Sequence, residues 1–218
     1  VHEDQTEWYK KTSDALKAQN GGAPMPSLLF QHIIVPEVYD MLTEVPKGTE
    51  GAVSGNGGHE GKYYIANEDY IYQGNVNEGP CPPNTNHGQF ESWVEQGDII
   101  GAFFGHDHTN DFAGEYQGIK LVACPETGFY SYGGVHGVRT ITLDEKDLSD
   151  FESEVILYTD LLDYEVSNSY KADYGYSAYK STFLPTVFGI VGGVVAVCAV
   201  LAIVIVIAKK KKGKKQGK

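Results

Sequence analysis

The chain has 218 residues, with 17 Lys and Arg against 29 Asp and Glu, for a formal net charge of −12. Seven of the lysines fall in the last ten residues, so positions 1–208 hold 10 basic against 29 acidic residues, a net −19. That acidity excludes a nucleic-acid-binding surface, which needs basic patches to neutralise phosphates. A hydrophobic content of 41% with 12% aromatic residues excludes a disordered chain. One folded domain of up to about 180 residues is the natural reading of the size.

In chain order, residues 5–19 place Trp8, Ala15, Leu16 and Gln19 near helical spacing and predict an amphipathic helix closed by Gly21 and Gly22. Residues 27–32 form a short apolar run of the kind found in buried strands, ended by Pro36, with a short helix over 37–42. Residues 47–62 are glycine-rich and read as a loop, 63–71 are mixed, and 79–83 are irregular. A helix is expected over 89–96 and a second apolar strand over 99–104. Strand-like segments follow at 119–123, 137–143 and 155–161. Apolar strands separated by helices predict an α/β fold with a sheet covered on both faces.

Residues 163–180 are rich in Tyr, Ser, Ala and Asp and poor in core-forming side chains, so they read as a stalk. No charge occurs from Ser181 to Ala208, and residues 187–208 are Val, Ile, Ala, Leu and Gly with one Phe and one Cys. At about 1.5 Å per residue this stretch spans roughly 33 Å, the thickness of a bilayer core. The lysines from Lys209 onward are a stop-transfer signal that belongs in the cytoplasm, which puts the N-terminal domain outside the cell or in a lumen. Cys81 and Cys124 then lie in an oxidising compartment, where either a disulfide or two thiols is open to them. No Asn-x-Ser/Thr sequon accompanies them.

Of the seven histidines, His2, His59 and His136 have no context beyond that of ordinary surface or hydrogen-bonding residues. His32, His106 and His108 differ, because each follows an apolar strand directly, where a buried sheet delivers residues to its edge. Two histidines at i and i+2 after Gly105 can aim imidazoles at one centre, and neutral imidazole suits zinc, iron and manganese alike.

The run Gly105-His106-Asp107-His108-Thr109-Asn110-Asp111-Phe112, after residues 96–104, resembles the final motif of the calcineurin-like metallophosphoesterases. Within them it is most similar to the membrane or secreted phosphatases related to purple acid phosphatases. Phe30-Gln31-His32-Ile33-Ile34-Val35-Pro36-Glu37 is similar to that branch's earlier histidine motif, and segments 114–119, 127–133 and 137–141 resemble it too. The resemblance covers residues 5–160 or so. It implies the C-terminal half of a four-layer α/β/β/α sandwich with a dinuclear metal site between its two sheets. His32 and His106 would ligate one metal and His108 the other, the pair being divalent or trivalent Fe, Zn or Mn. The implied reaction is hydrolysis of a phosphate ester by a metal-generated hydroxide. Asp107 and Asn110 would orient the ligands or shape the loop, with a plain turn role equally open for Asp107.

The departures from that pattern are large. The family's Asp-x-His, Gly-Asp-x-x-Asp and Gly-Asn-His-Asp/Glu motifs do not occur, and Gly97-Asp98 lacks the second Asp. Ile34 stands where that branch usually has proline, and His87 where a small residue is typical. Three histidines cannot build a two-metal centre, so these residues alone are expected to be inactive, the site needing an N-terminal half of the same domain. The absence of an apolar leader and of a starting methionine points the same way. The expected layout is a partial metallophosphoesterase domain at 1–162, a stalk at 163–183, a transmembrane helix at 184–208 and a cytoplasmic tail at 209–218. A non-catalytic surface binding or adhesion protein that keeps half the fold is the alternative, and it would suit the acidic face and Tyr-rich stalk.

Overall fold

A computed structural model describes residues 1–128, 132 and 136–161. The chain divides into two units, and all described residues belong to the first, Val1–Gly128 with Tyr132–Glu165. The expected stalk, transmembrane helix and lysine tail lie outside the described residues. Among the described residues no helix is long and apolar enough to cross a membrane.

Helix α1 (Glu3–Gln19) starts where the His2 N–H donates to Gln5 Oε1 at 2.8 Å, with Glu3 and Asp4 in its first turn favouring the helix dipole. The helix is where periodicity predicts it, but its inward face differs. Trp8 is 68% exposed, while Ser13 is buried and Tyr9 packs against the core with its hydroxyl donating to Asp98 Oδ1. The polar tip of Tyr9 finds a buried partner, which the indole of Trp8 would not.

Five strands form the main sheet, in the order β1 (Ser27–Phe30), β6 (Ile99–Phe104), β8 (Ile119–Ala123), β7 (Ala113–Tyr116), β5 (Ile71–Gln73). β1, β6 and β8 run parallel, with Phe30 opposite Phe103 and Phe104 opposite Ala123. β7 and β5 are antiparallel additions. The β7–β8 connection is a two-residue hairpin through Gln117 and Gly118, both at positive φ (50° and 80°), the twist that matches a type I′ turn.

Alternation along the strands sorts the core into two faces. Ala102, Phe104 and Leu121 join Ile34, Val38, Met41, Phe90 and Trp93 on the side of α2 (Gln89–Gln96) and the short 3-10 turn Pro36–Met41. Phe103, Ala113 and Val122 pack on the other side against Phe151. Phe151 belongs to β10 (Asp147–Leu157), which pairs antiparallel with β9 (Gly137–Asp144) as a separate two-stranded sheet. The sheet is therefore covered on both faces, by helices on one and a hairpin on the other. The fold is mixed α/β.

Two features depart from the sequence reading, and one that it left open is decided. The 155–161 strand ends at Leu157 and turns into the single helical turn α3 (Tyr158–Leu161). The glycine-rich stretch carries a two-residue strand, β3 (Val53–Ser54), in a small sheet with β2 (Leu42–Val45) and β4 (Tyr63–Ala66). These strands are too short to leave a period in the sequence, and tertiary pairing makes them. Cys81 and Cys124 remain separate thiols, with burial raising the pKa of each.

Gly101 lies directly under the β9–β10 hairpin: a Cβ there would lie 2.4 Å from Cε1 and 2.5 Å from Cζ of Phe151. Gly101→Ala should therefore destabilise the fold by about 1–3 kcal/mol, an overpacking cost. Urea unfolding followed by circular dichroism would show it as a lower midpoint.

Candidate metal centre

His32 follows β1 by two residues and His106 follows β6 by two, and those strands are parallel neighbours. Their C-terminal ends therefore open at one edge of the sheet, where such folds place ligands. The pairing continues past the strands, with Gln31 N–H donating to the Phe103 carbonyl and Gly105 N–H to the His32 carbonyl, both at 3.1 Å. The result brings His32 Nε2 to 3.1 Å from His106 Nδ1, with the rings edge to face at 4.9 Å. That separation is a hydrogen bond between the rings, one imidazole N–H donating to the other's nitrogen, and it makes the pair the candidate ligands for a shared ion. An open groove of about 410 Å³, lined by Phe30, His32, Phe103, Gly105 and Cys124 among others, gives access to it.

His108 makes contacts of its own. Its ring stacks on Tyr132 at 4.5 Å and 16°, and its Nδ1 lies 3.7 Å from Glu126 Oε2. His32 and His106 thus meet each other, while His108 lies beside the Glu126 carboxylate. Among the described residues no group of three or more His, Cys, Asp or Glu side chains is arranged to hold a metal ion.

The loop carrying these histidines is held from behind by the segment 75–81. Asn110 is fully buried, and its Oδ1 accepts the N–H groups of Asn77 (2.8 Å) and Glu78 (3.0 Å) while its Nδ2 donates to the Glu78 carbonyl at 3.1 Å. Thr109 N–H donates to Glu78 Oε1 at 2.7 Å, and the Tyr132 hydroxyl donates to Glu78 Oε2 at 3.1 Å. Asp107 is buried and accepts the Cys81 N–H at 3.1 Å. Burial, reinforced by the nearby Glu78 carboxylate, pushes its pKa up to about 6 despite that hydrogen bond. Both residues shape the loop, Asn110 more completely. Arg139 adds a clamp from β9, donating to the carbonyls of Ala123 and Asp111 and to the side chains of Gln73 and Ser153.

Glu78, Glu126 and His136 gave no signal in the sequence. His136 read as an ordinary histidine, yet it is 2% exposed and its Nδ1 lies 3.9 Å from Glu126 Oε2. Glu126 and His136 are ten positions apart and meet through an isolated parallel bridge, a pairing no local pattern announces. His59 and His87 are taken up elsewhere, His59 stacked on Tyr39 and His87 beside Glu3.

The fold and site define a class: a mixed α/β domain that presents histidines at the ends of adjacent parallel strands. Comparison with curated proteins gives the relationship. The chain is 29% identical over 154 residues, 68% of its length, to the probable inactive purple acid phosphatase 14 of Arabidopsis thaliana. It is 28% identical over 132 residues to the probable inactive purple acid phosphatase 29 and 26% identical over 133 residues to the probable inactive purple acid phosphatase 28 of the same plant. These are purple acid phosphatase homologues, within the calcineurin-like metallophosphoesterase superfamily, as the Gly105–Phe112 run led one to expect. The chain spans about a third of the length of these relatives, with 32%, 28% and 27% covered. No family model matches the chain, and no solved structure does.

Two measurements check the loop. Asn110→Ala leaves two backbone N–H groups without their acceptor and should cost about 2–4 kcal/mol of unfolding free energy. Asp107 holds its proton more tightly folded than unfolded, so its contribution is full below pH 4 or so and is lost as pH rises through about 6. Stability of the metal-free chain should fall across that window, and Asp107→Asn, which keeps the acceptor, should remove the fall.

Proposed function

We propose that this chain carries part of the metal centre of a metallophosphoesterase that hydrolyses phosphate esters. The observation that bears the proposal is the approach of His32 Nε2 to His106 Nδ1 at 3.1 Å on neighbouring parallel strand ends. The relationship to purple acid phosphatase homologues supports it. On this reading the chain contributes the later strands of a four-layer α/β/β/α sandwich.

Two metal ions, Fe, Zn or Mn, would supply Lewis acidity and a hydroxide nucleophile. The chain's own work is to hold imidazoles. His32 presents Nε2 and His106 presents Nδ1 to one ion, and His108 serves the other. Gly105 leaves the backbone free to turn between strand and ligands, and Asn110 with Glu78 fixes the loop that follows. The bridging carboxylate and remaining ligands would come from motifs that this sequence lacks, within a longer protein. That protein would be anchored by residues 184–208, with its catalytic domain extracellular or lumenal and the lysines cytoplasmic.

A second reading draws on the relatives' names. Each is named a probable inactive purple acid phosphatase, and a homologue that keeps the fold without turnover would act as a surface binding module.

Calorimetry with Zn²⁺ or Mn²⁺ separates these from a metal-free role. His32→Ala and His106→Ala should each weaken binding by tenfold or more with the fold intact by circular dichroism, and unchanged affinity in both would refute the metal assignment. In the longer protein, His106→Ala and His108→Ala should abolish phosphate-ester hydrolysis. An inactive wild type that still binds metal would favour the binding module.

A further inference from the structure

We infer that the open edge of β1 is a docking surface that takes one further parallel strand, an apolar segment from the N-terminal part of the longer protein. The inference rests on the reading of this chain as part of a larger phosphoesterase domain.

Among the described residues β1 stands at the end of the five-stranded sheet, paired to β6 alone. Its residues, Ser27-Leu28-Leu29-Phe30, include no charge and no proline. Edge strands normally carry such residues to deter further pairing. The β9–β10 hairpin does so, with Arg139, Asp144, Glu152 and Glu154 along its strands. β1 instead has the make-up of an interior strand of a parallel sheet, apolar toward both faces. Leu29 packs against the core on the helix side and Leu28 against the core on the hairpin side. Ser27 N–H donates to the Asp98 carbonyl at 2.7 Å, and Gln31 N–H to the Phe103 carbonyl at 3.1 Å. The two-residue alternation of a strand puts Leu29 on that same side and turns the N–H groups of Leu28 and Phe30 toward the open edge.

Apolar surface continues beside this edge. Phe30 stacks on Phe103 at 5.0 Å and 14°, which covers Phe103 and leaves Phe30 itself 65% exposed. An open groove of about 730 Å³ runs between the edge and the helices, lined by Trp8, Tyr9, Leu29, Phe30, Gln89 and Trp93 among others. The indole of Trp8, which the core leaves outside, forms a wall of that groove and would pack against the added chain. A parallel strand continues the direction shared by β1, β6 and β8. The relatives extend well beyond the third of their length that this chain matches, which gives such a strand a source. A second copy is the poorer occupant. Two-fold pairing of β1 with itself would be antiparallel, and each copy brings a net charge of −12, with Asp4 in the groove lining.

Amide hydrogen exchange resolved to single residues, on the purified native polypeptide, tests this with Leu29 as an internal reference, because its N–H faces β6. Leu28 and Phe30 should be protected to within about tenfold of Leu29 at every protein concentration. Faster exchange of either overturns the inference. So does protection that disappears when a dimer is diluted, which assigns the edge to a second copy. Phe30→Lys supplies the charge that an open edge tolerates, so in the native polypeptide it should lower the melting temperature more than Leu148→Lys, a change at an exposed hairpin position. Equal shifts count against the covered edge. A native polypeptide no longer than 218 residues removes the source of the strand and overturns the inference too. An open edge in a longer polypeptide that still binds Zn²⁺ through His32 and His106 overturns this inference and leaves the phosphoesterase reading standing.

Discussion

Parallel pairing of β1 with β6 is the constraint on which the rest of the site depends. It places the ends of two strands, 74 positions apart at His32 and His106, side by side at one edge of the sheet. Antiparallel pairing would send them to opposite edges and separate the histidines by the length of a strand. The pairing needs a buried environment on both faces, which explains why β6 is almost wholly apolar and why helices and a hairpin lie on either side.

Loop rigidity is the second requirement. The segment after β6 has no regular structure of its own, so its polar backbone must be satisfied from elsewhere. Asn110 does this for three groups at once, and Glu78 links the same loop to the ring stacked on His108. Buried polar networks of this kind specify one geometry at a cost in desolvation, seen in the raised pKa of Asp107. Arg139 extends the network to β9, so the histidine loop, the sheet and the hairpin are held by one guanidinium.

Much of the fold could be read in advance where an element was long or strongly apolar. α1, α2, β1, β6 and β8 all fall where periodicity or an apolar run puts them. The short strands β2 to β5 and β7 could not, because two to four residues carry no period and their existence depends on a partner. The inner face of α1 was misjudged at Trp8 because an indole looks like core, whereas the buried acceptor Asp98 selects the hydroxyl of Tyr9 instead. Within the site, His32, His106 and His108 announce themselves by following strands. Glu78, Glu126 and His136 do not, since their roles arise from contacts across 10 to 54 positions.

The sequence by itself determined the acidic balance, the strand ends at which histidines stand, and the motif that relates the chain to metallophosphoesterases. Each is a local property: a charge count, an apolar run, a spacing of neighbours. Only the tertiary structure decided which histidines meet. His106 and His108 are two residues apart, yet the turn after Gly105 sends one toward His32 and the other toward Glu126. Adjacent side chains on a tight loop point in different directions, and what each one reaches is set by the strands packed around it.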